Sequence, residues 1–141
     1  MRANLEDFIL HLATERGLSE NYQLSTRRSL ECFADWAEKT HKLADPRAVT
    51  LAHLHDFLAH RKRLSLAAAS IKLEVVALKI FFRWMTARTH IPHDPADVLP
   101  LPRIERFLPE TLNEPAVLRL LAATDVTLPL GLRDHAMIEL L

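Results

Sequence analysis

Apolar residues recur at Leu5, Phe8, Ile9 and Leu12. This i, i+3, i+4, i+7 spacing lines one side of a short helix. Asn4 is placed to cap it, with Asp7 at the third helical position, and Gly17 to end it. A second helix is predicted from about Glu20 to Lys39, with Ser19 as cap and Leu30, Phe33, Ala34 and Ala37 as its buried stripe. Cys32 and Trp36 read as core or near-core side chains of that helix. Asp45-Pro46 interrupts the pattern, and Thr50 opens a third helix carrying Leu51, Leu54, Phe57 and Leu58. It closes on Arg61-Lys62-Arg63, where the helix dipole by itself favours cations.

The fourth predicted helix, about Ser65 to Arg88, is apolar around most of its circumference, through Ile71, Leu73, Val75, Leu78, Ile80, Phe81, Phe82, Trp84 and Met85. At about 100° per residue, Lys72, Lys79 and Arg83 fall on one narrow stripe. Such a helix sits centrally in a bundle and shows solvent mainly its basic stripe. Ordinary solvation of a long helix is the alternative reading of those three cations.

Residues 92 to 109 then hold Pro92, Pro95, Pro100, Pro102 and Pro109, the pattern of an extended connector. Beyond it, Asn113 can cap a helix to about Ala123 with Pro115 in its first turn, and a further helical phrase starts near Leu132 and runs to Leu141. The expected organisation is an all-α protein: a four-helix unit over 1–90, a proline-rich connector over 91–109, and the opening of a second, incomplete domain over 110–141.

Composition narrows the chemistry. With only 2 Gly in 141 residues, the chain has no phosphate loop, dinucleotide fingerprint or Gly-x-Ser-x-Gly elbow. Its single cysteine, Cys32, forms no internal disulfide and has no second thiolate for zinc. No apolar stretch reaches the roughly 20 residues needed to span a bilayer, and Glu6 and Asp7 stand where a signal peptide would be apolar. No membrane association and a cytoplasmic location are expected. Among the eight histidines, His53 and His55 would lie on opposite sides of a helix, and His60 returns to the face of His53 only two turns on. No metal site or cofactor is expected, and neither Cys32 nor the Asp134-His135 pair supplies a catalytic constellation.

The formal net charge is zero, from 18 Lys/Arg and 18 Asp/Glu, but its distribution is uneven. Residues 1–90 hold 14 Lys/Arg against 10 Asp/Glu, or +4, and residues 91–141 hold 4 against 8, or −4. Within 61–88, seven cations face only Glu74. A local patch of this kind, rather than the overall charge, meets a phosphate backbone. The second helix adds donors in Tyr22, Gln23, Ser25, Thr26, Arg27 and Arg28.

Several phrases, in order, resemble the tyrosine recombinase and phage integrase family, most closely the bacterial Xer type. They are LSENYQLSTRRSL at 18–30, SIKLEVVALKIFFRWM at 70–85, HDPADVLPLPRIERFLPETLNEPAVLRLLAAT at 93–124 and LRDHAMIELL at 132–141. Tyr22 stands where the family has Thr, and Thr26 where it has Tyr. The resemblance implies a four-helix, SAM-like core-binding domain whose second and fourth helices approach the DNA major groove. It carries DNA contact onto Arg27, Arg28, Lys72, Lys79 and Arg83, and Thr26, a donor beside them, is expected to contact DNA as well. It further implies partners in a double-stranded recombination half-site and, at full length, in other recombinase protomers. Complete members cut and rejoin DNA through a 3′-phosphotyrosyl link. The chain is expected to stop before the family's catalytic arginines, lysine, histidine and tyrosine, so that it is inactive alone and Tyr22 is no nucleophile. The competing expectation is a helical protein-interaction or recombinase-assembly module without DNA specificity of its own.

Overall fold

Five phenylalanines, contributed by four helices, form one continuous aromatic seam. Phe8 meets Phe81 edge-on at 5.5 Å between centroids, Phe81 meets Phe82 at 5.3 Å, Phe82 meets Phe33 at 6.1 Å and Phe33 meets Phe57 at 5.3 Å. All five are essentially inaccessible to solvent. The computed structural model that contains them describes residues 1–103 and 111–140. The helices are α1 (Arg2–Thr14), α2 (Glu20–His41), α3 (Leu51–Arg63), α4 (Ala68–Ala87), α5 (Glu114–Ala122) and α6 (Pro129–Glu139), with a short 3-10 turn at Pro46–Ala48. The chain divides into two compact units, Met1–Ile104 and Glu105–Leu141.

In the first unit α2 and α4 are the central pair, with α1 and α3 packed against both. Leu5, Phe8, Ile9 and Leu12 are buried on α1, and Leu30, Phe33, Ala34 and Ala37 on α2, which are the stripes the spacing predicts. Cys32 and Trp36 pack half-buried against that core. The Ser19 hydroxyl accepts from the Tyr22 N–H, and Thr50 accepts from the His53 N–H while His53 Nδ1 accepts from the Thr50 N–H, a reciprocal cap for α3.

The ends of the elements differ from expectation for identifiable reasons. Asn4 is not a cap, because α1 begins two residues earlier, where the terminal ammonium of Met1 donates to the Ala44 carbonyl at 2.7 Å. Gly17 does turn the chain after α1, at φ +58°, letting Leu18 N–H reach the Leu12 carbonyl. Three non-glycine residues take the same left-handed conformation at later helix ends: Lys42, Ser65 and Thr89. Ser65 in that region cannot open α4, which therefore starts at Ala68.

The larger difference lies in the proline-rich segment. Ile91, Ala96 and Leu99 are buried and belong to the main core, so residues 91–99 are part of the first unit rather than an extended tether. The Lys79 ammonium fastens this segment, donating to the carbonyls of Asp97 (2.8 Å) and Leu99 (2.9 Å). Residues 104–109 of the expected connector lie outside the described residues.

In the second unit Asn113 caps α5 through the Ala116 N–H, and α6 starts at Pro129, one turn before the expected Leu132. Gly131 is required there: a Cβ on it would lie 1.9 Å from the Asp125 carbonyl oxygen. His135 Nδ1 lies 2.7 Å from Thr124 Oγ1 and Asp134 pairs with Arg133, so the two neighbours act separately. Neither helix of this unit has a fully buried side chain among the described residues.

Candidate nucleic-acid interface

The cations that sequence placed on one face have three different fates. Arg28 and Arg83 are exposed and Lys72 is half-buried, and none of the three has a carboxylate partner among the described residues. Arg28 lines a groove of about 480 Å³ between the first halves of α2 and α4. Arg83 lines a second groove, of about 440 Å³, bounded by α1, the start of α2 and the end of α4. Lys72 and Arg83 lie eleven residues apart on α4, a rise of about 16 Å.

Arg27 and Lys79 are engaged instead. Both terminal nitrogens of Arg27 hold the carboxylate of Glu6 on α1, with Nη2 at 2.8 Å from Oε2. These hydrogen bonds keep the Glu6 carboxyl below its ordinary titration range and Arg27 above its own. Lys79 spends two of its three donors on the carbonyls at 97 and 99. Thr26 has 6% of its surface exposed. It faces the core beside Leu30 because it lies one helical turn before it. Of the six residues expected to contact DNA, Arg28, Lys72 and Arg83 are those neither buried nor engaged in this way among the described residues.

Arg61, counted in the basic run, is withdrawn as well. It donates from Nε to Glu74 Oε1 at 2.8 Å and from Nη2 to the same oxygen at 2.6 Å, with its guanidinium carbon 5.9 Å from the centroid of the Phe57 ring. Hydrogen bonding to Glu74 holds its pKa above the ordinary arginine value, against the opposing effect of burial. Arg88 pairs with Glu15 at 2.6 Å. Lys62 and Arg63, which end α3, remain exposed and have no ion pair among the described residues.

Sequence reasoning named Ser25 and Arg28 as donors but overlooked Asn21, which lines the first groove with them. Their i, i+4, i+7 spacing was the available signal. It also overlooked a histidine contact made across two helices: the rings of His41 and His53 lie 4.8 Å apart, with Trp36 against His41 at 5.0 Å. Comparing only histidines close in sequence could not find it. Among the described residues no group of three His, Cys, Asp or Glu is arranged to hold a metal ion, and no helix is long and apolar enough to cross a membrane. Burial pushes the Cys32 thiol up, which keeps it protonated.

The first unit is an all-α helical bundle whose two central helices each carry an exposed arginine, Arg28 on α2 and Arg83 on α4. Residues 5–89 match the family described as phage integrase, N-terminal SAM-like domain. The chain belongs to the phage integrase family through this domain. It is similar to Tyrosine recombinase XerD of Listeria monocytogenes serovar 1/2a, 33% identical over 137 residues that cover 97% of this chain and 46% of the relative. Tyrosine recombinase XerD of Lacticaseibacillus casei is 33% identical over 145 residues, covering 100% and 47%. Tyrosine recombinase XerC of Escherichia coli O157:H7 is 30% identical over 141 residues, again covering 100% and 47%. The chain thus spans about half the length of these curated relatives.

Proposed function

We propose that the first unit is the DNA-binding portion of a site-specific tyrosine recombinase, acting in the cytoplasm on a double-stranded recombination half-site. The observation that carries this reading is the coincidence, in a chain of the phage integrase family, of three cations on neighbouring helices with no carboxylate partner among the described residues: Arg28, Lys72 and Arg83. The roughly 16 Å rise from Lys72 to Arg83 exceeds the roughly 12 Å width of the major groove, so side chains at the two ends of α4 reach phosphates on its opposite edges. Such contacts set affinity and register, while polar side chains between them meet base edges.

At full length, the reaction we assign is transesterification. A tyrosine hydroxyl attacks a DNA phosphate, forming a 3′-phosphotyrosyl bond and releasing a 5′-hydroxyl. A 5′-hydroxyl of the partner strand then displaces the tyrosine, restoring a phosphodiester. No residue of the described units is assigned a part in that chemistry. Other protomers of the recombinase, assembled on the same DNA, are the protein partners.

Fluorescence anisotropy with a Xer-like half-site duplex and a scrambled duplex, across a salt series, tests the binding. Saturable, salt-sensitive binding with preference for the half-site is expected. Absence of binding at low salt by a helical, folded chain would overturn the reading in favour of a protein-interaction module.

A further inference from the structure

The groove that holds Arg28 is lined by three leucines that phosphate binding does not explain, the half-buried Leu66 and two exposed ones. Leu24 on α2 and Leu73 on α4 both line it, and they are 43% and 59% exposed. Exposed leucines scattered singly are ordinary. Here two helices bring one each to the same concavity, among the polar groups of Asn21, Ser25, Arg28 and Ser70.

The electrostatics of the groove select the kind of surface these leucines would meet. Its acidic residue, Glu74, lies in the floor with only 7% of its side chain exposed and is neutralised by Arg61. Arg28 is then the net charge of the lining, and the exposed Lys62 and Arg63 follow Arg61 at the end of α3. A basic, acid-neutralised groove with hydroxyl, amide and guanidinium donors complements the major-groove edge of duplex DNA. On that edge the only apolar group is the 5-methyl of thymine.

We propose that Leu24 and Leu73 form a thymine-reading element, packing against thymine 5-methyl groups while the polar Asn21, Ser25 and Ser70 face adjacent bases. This rests on the DNA-binding reading above and adds to it the source of part of its sequence preference. Burying one methyl is worth about a fourfold change in affinity.

The test uses the full chain and a pool of duplexes with a randomised central segment. Bound duplexes are sequenced, and the preferred duplex is remade with deoxyuridine for each enriched thymine, which removes only the methyl. We expect thymine enrichment at fixed positions, about fourfold weaker binding for each methyl removed from the leucines' reach, and no difference between thymine and deoxyuridine duplexes for the Leu24→Ala/Leu73→Ala variant. Both substitutions are at exposed helical positions, and circular dichroism checks that helicity is kept. Equal binding of thymine and deoxyuridine duplexes by the unmodified chain overturns the inference while leaving DNA binding intact, as does discrimination that survives in the double variant. Lack of salt-sensitive binding to any duplex overturns both this inference and the reading beneath it.

Discussion

Arg61 and Glu74, thirteen residues apart, join the end of α3 to the middle of α4 through a two-nitrogen ion pair that is 18% and 7% exposed at the two side chains. Removing one partner strands the other charge in a place where water reaches it poorly. Glu74→Leu is expected to destabilise the protein by about 2–3 kcal/mol, at the low end for a buried pair because Arg61 keeps some solvent. The double variant Arg61→Met/Glu74→Leu should regain most of that stability, since no uncompensated charge remains. Urea unfolding of the three proteins measures it, and a double variant less stable than the single one would refute the account.

Lys79 and Arg83 lie one turn apart on α4 yet are expected to behave differently. Lys79→Met removes two charge-assisted hydrogen bonds to the carbonyls of Asp97 and Leu99 and should cost about 1–2 kcal/mol. Amide exchange should quicken over residues 91–99, with the salt dependence of DNA binding almost unchanged. An effect on salt dependence larger than that on exchange would return Lys79 to the DNA face.

Arg28→Ala, Lys72→Ala and Arg83→Ala should each leave stability within about 0.5 kcal/mol, since none breaks an ion pair among the described residues. For every phosphate that a substitution leaves unneutralised, the slope of log affinity against log salt should fall by about 0.9. Anisotropy titrations of the triple variant are expected to show a slope lower by about 2–3; an unchanged slope in a folded protein would reject this face.

Glu6 titrates below its ordinary value of 4.5 because Arg27 hydrogen-bonds to it. A carboxyl lowered on folding contributes stability that is complete above its unfolded pKa and is lost as pH falls through its folded one. Between about pH 5 and 3, the native protein should therefore lose stability more steeply than Glu6→Gln. The pair is on the surface and the difference should shrink in high salt, which thermal melts over this range would register.

Thr89 holds φ at +59° just after α4, a conformation unfavourable for a β-branched residue. Thr89→Gly should raise stability by up to about 1 kcal/mol, the relief of left-handed strain exceeding glycine's entropic cost. A lower melting temperature would show that the Thr89 side chain contributes more than it strains.

The helices were legible because their buried stripes repeat at helical spacing and because Ser19, Thr50 and Asn113 are side chains that cap. Helix ends were less so where Lys42, Ser65 and Thr89 adopt a conformation usually marked by glycine. The basic character of α4 was legible, but how its charges are spent was not. Arg27, Arg61 and Lys79 are claimed by Glu6, Glu74 and two carbonyls, partners 13 to 21 residues away that no helical wheel brings near. Prolines at 92, 95 and 100 suggested an open tether, yet the apolar residues between them, Ala96 and Leu99, proved decisive because they fill the core.

That last packing relocates the natural place to cut the gene. A protein ended at residue 90 would carry away Ile91, Ala96 and Leu99, opening a trough along α4 and leaving the Lys79 ammonium without its two acceptors. Ended at 103, the same unit keeps its seal, so a minimal version of this bundle ends thirteen residues later than the four helices alone would recommend.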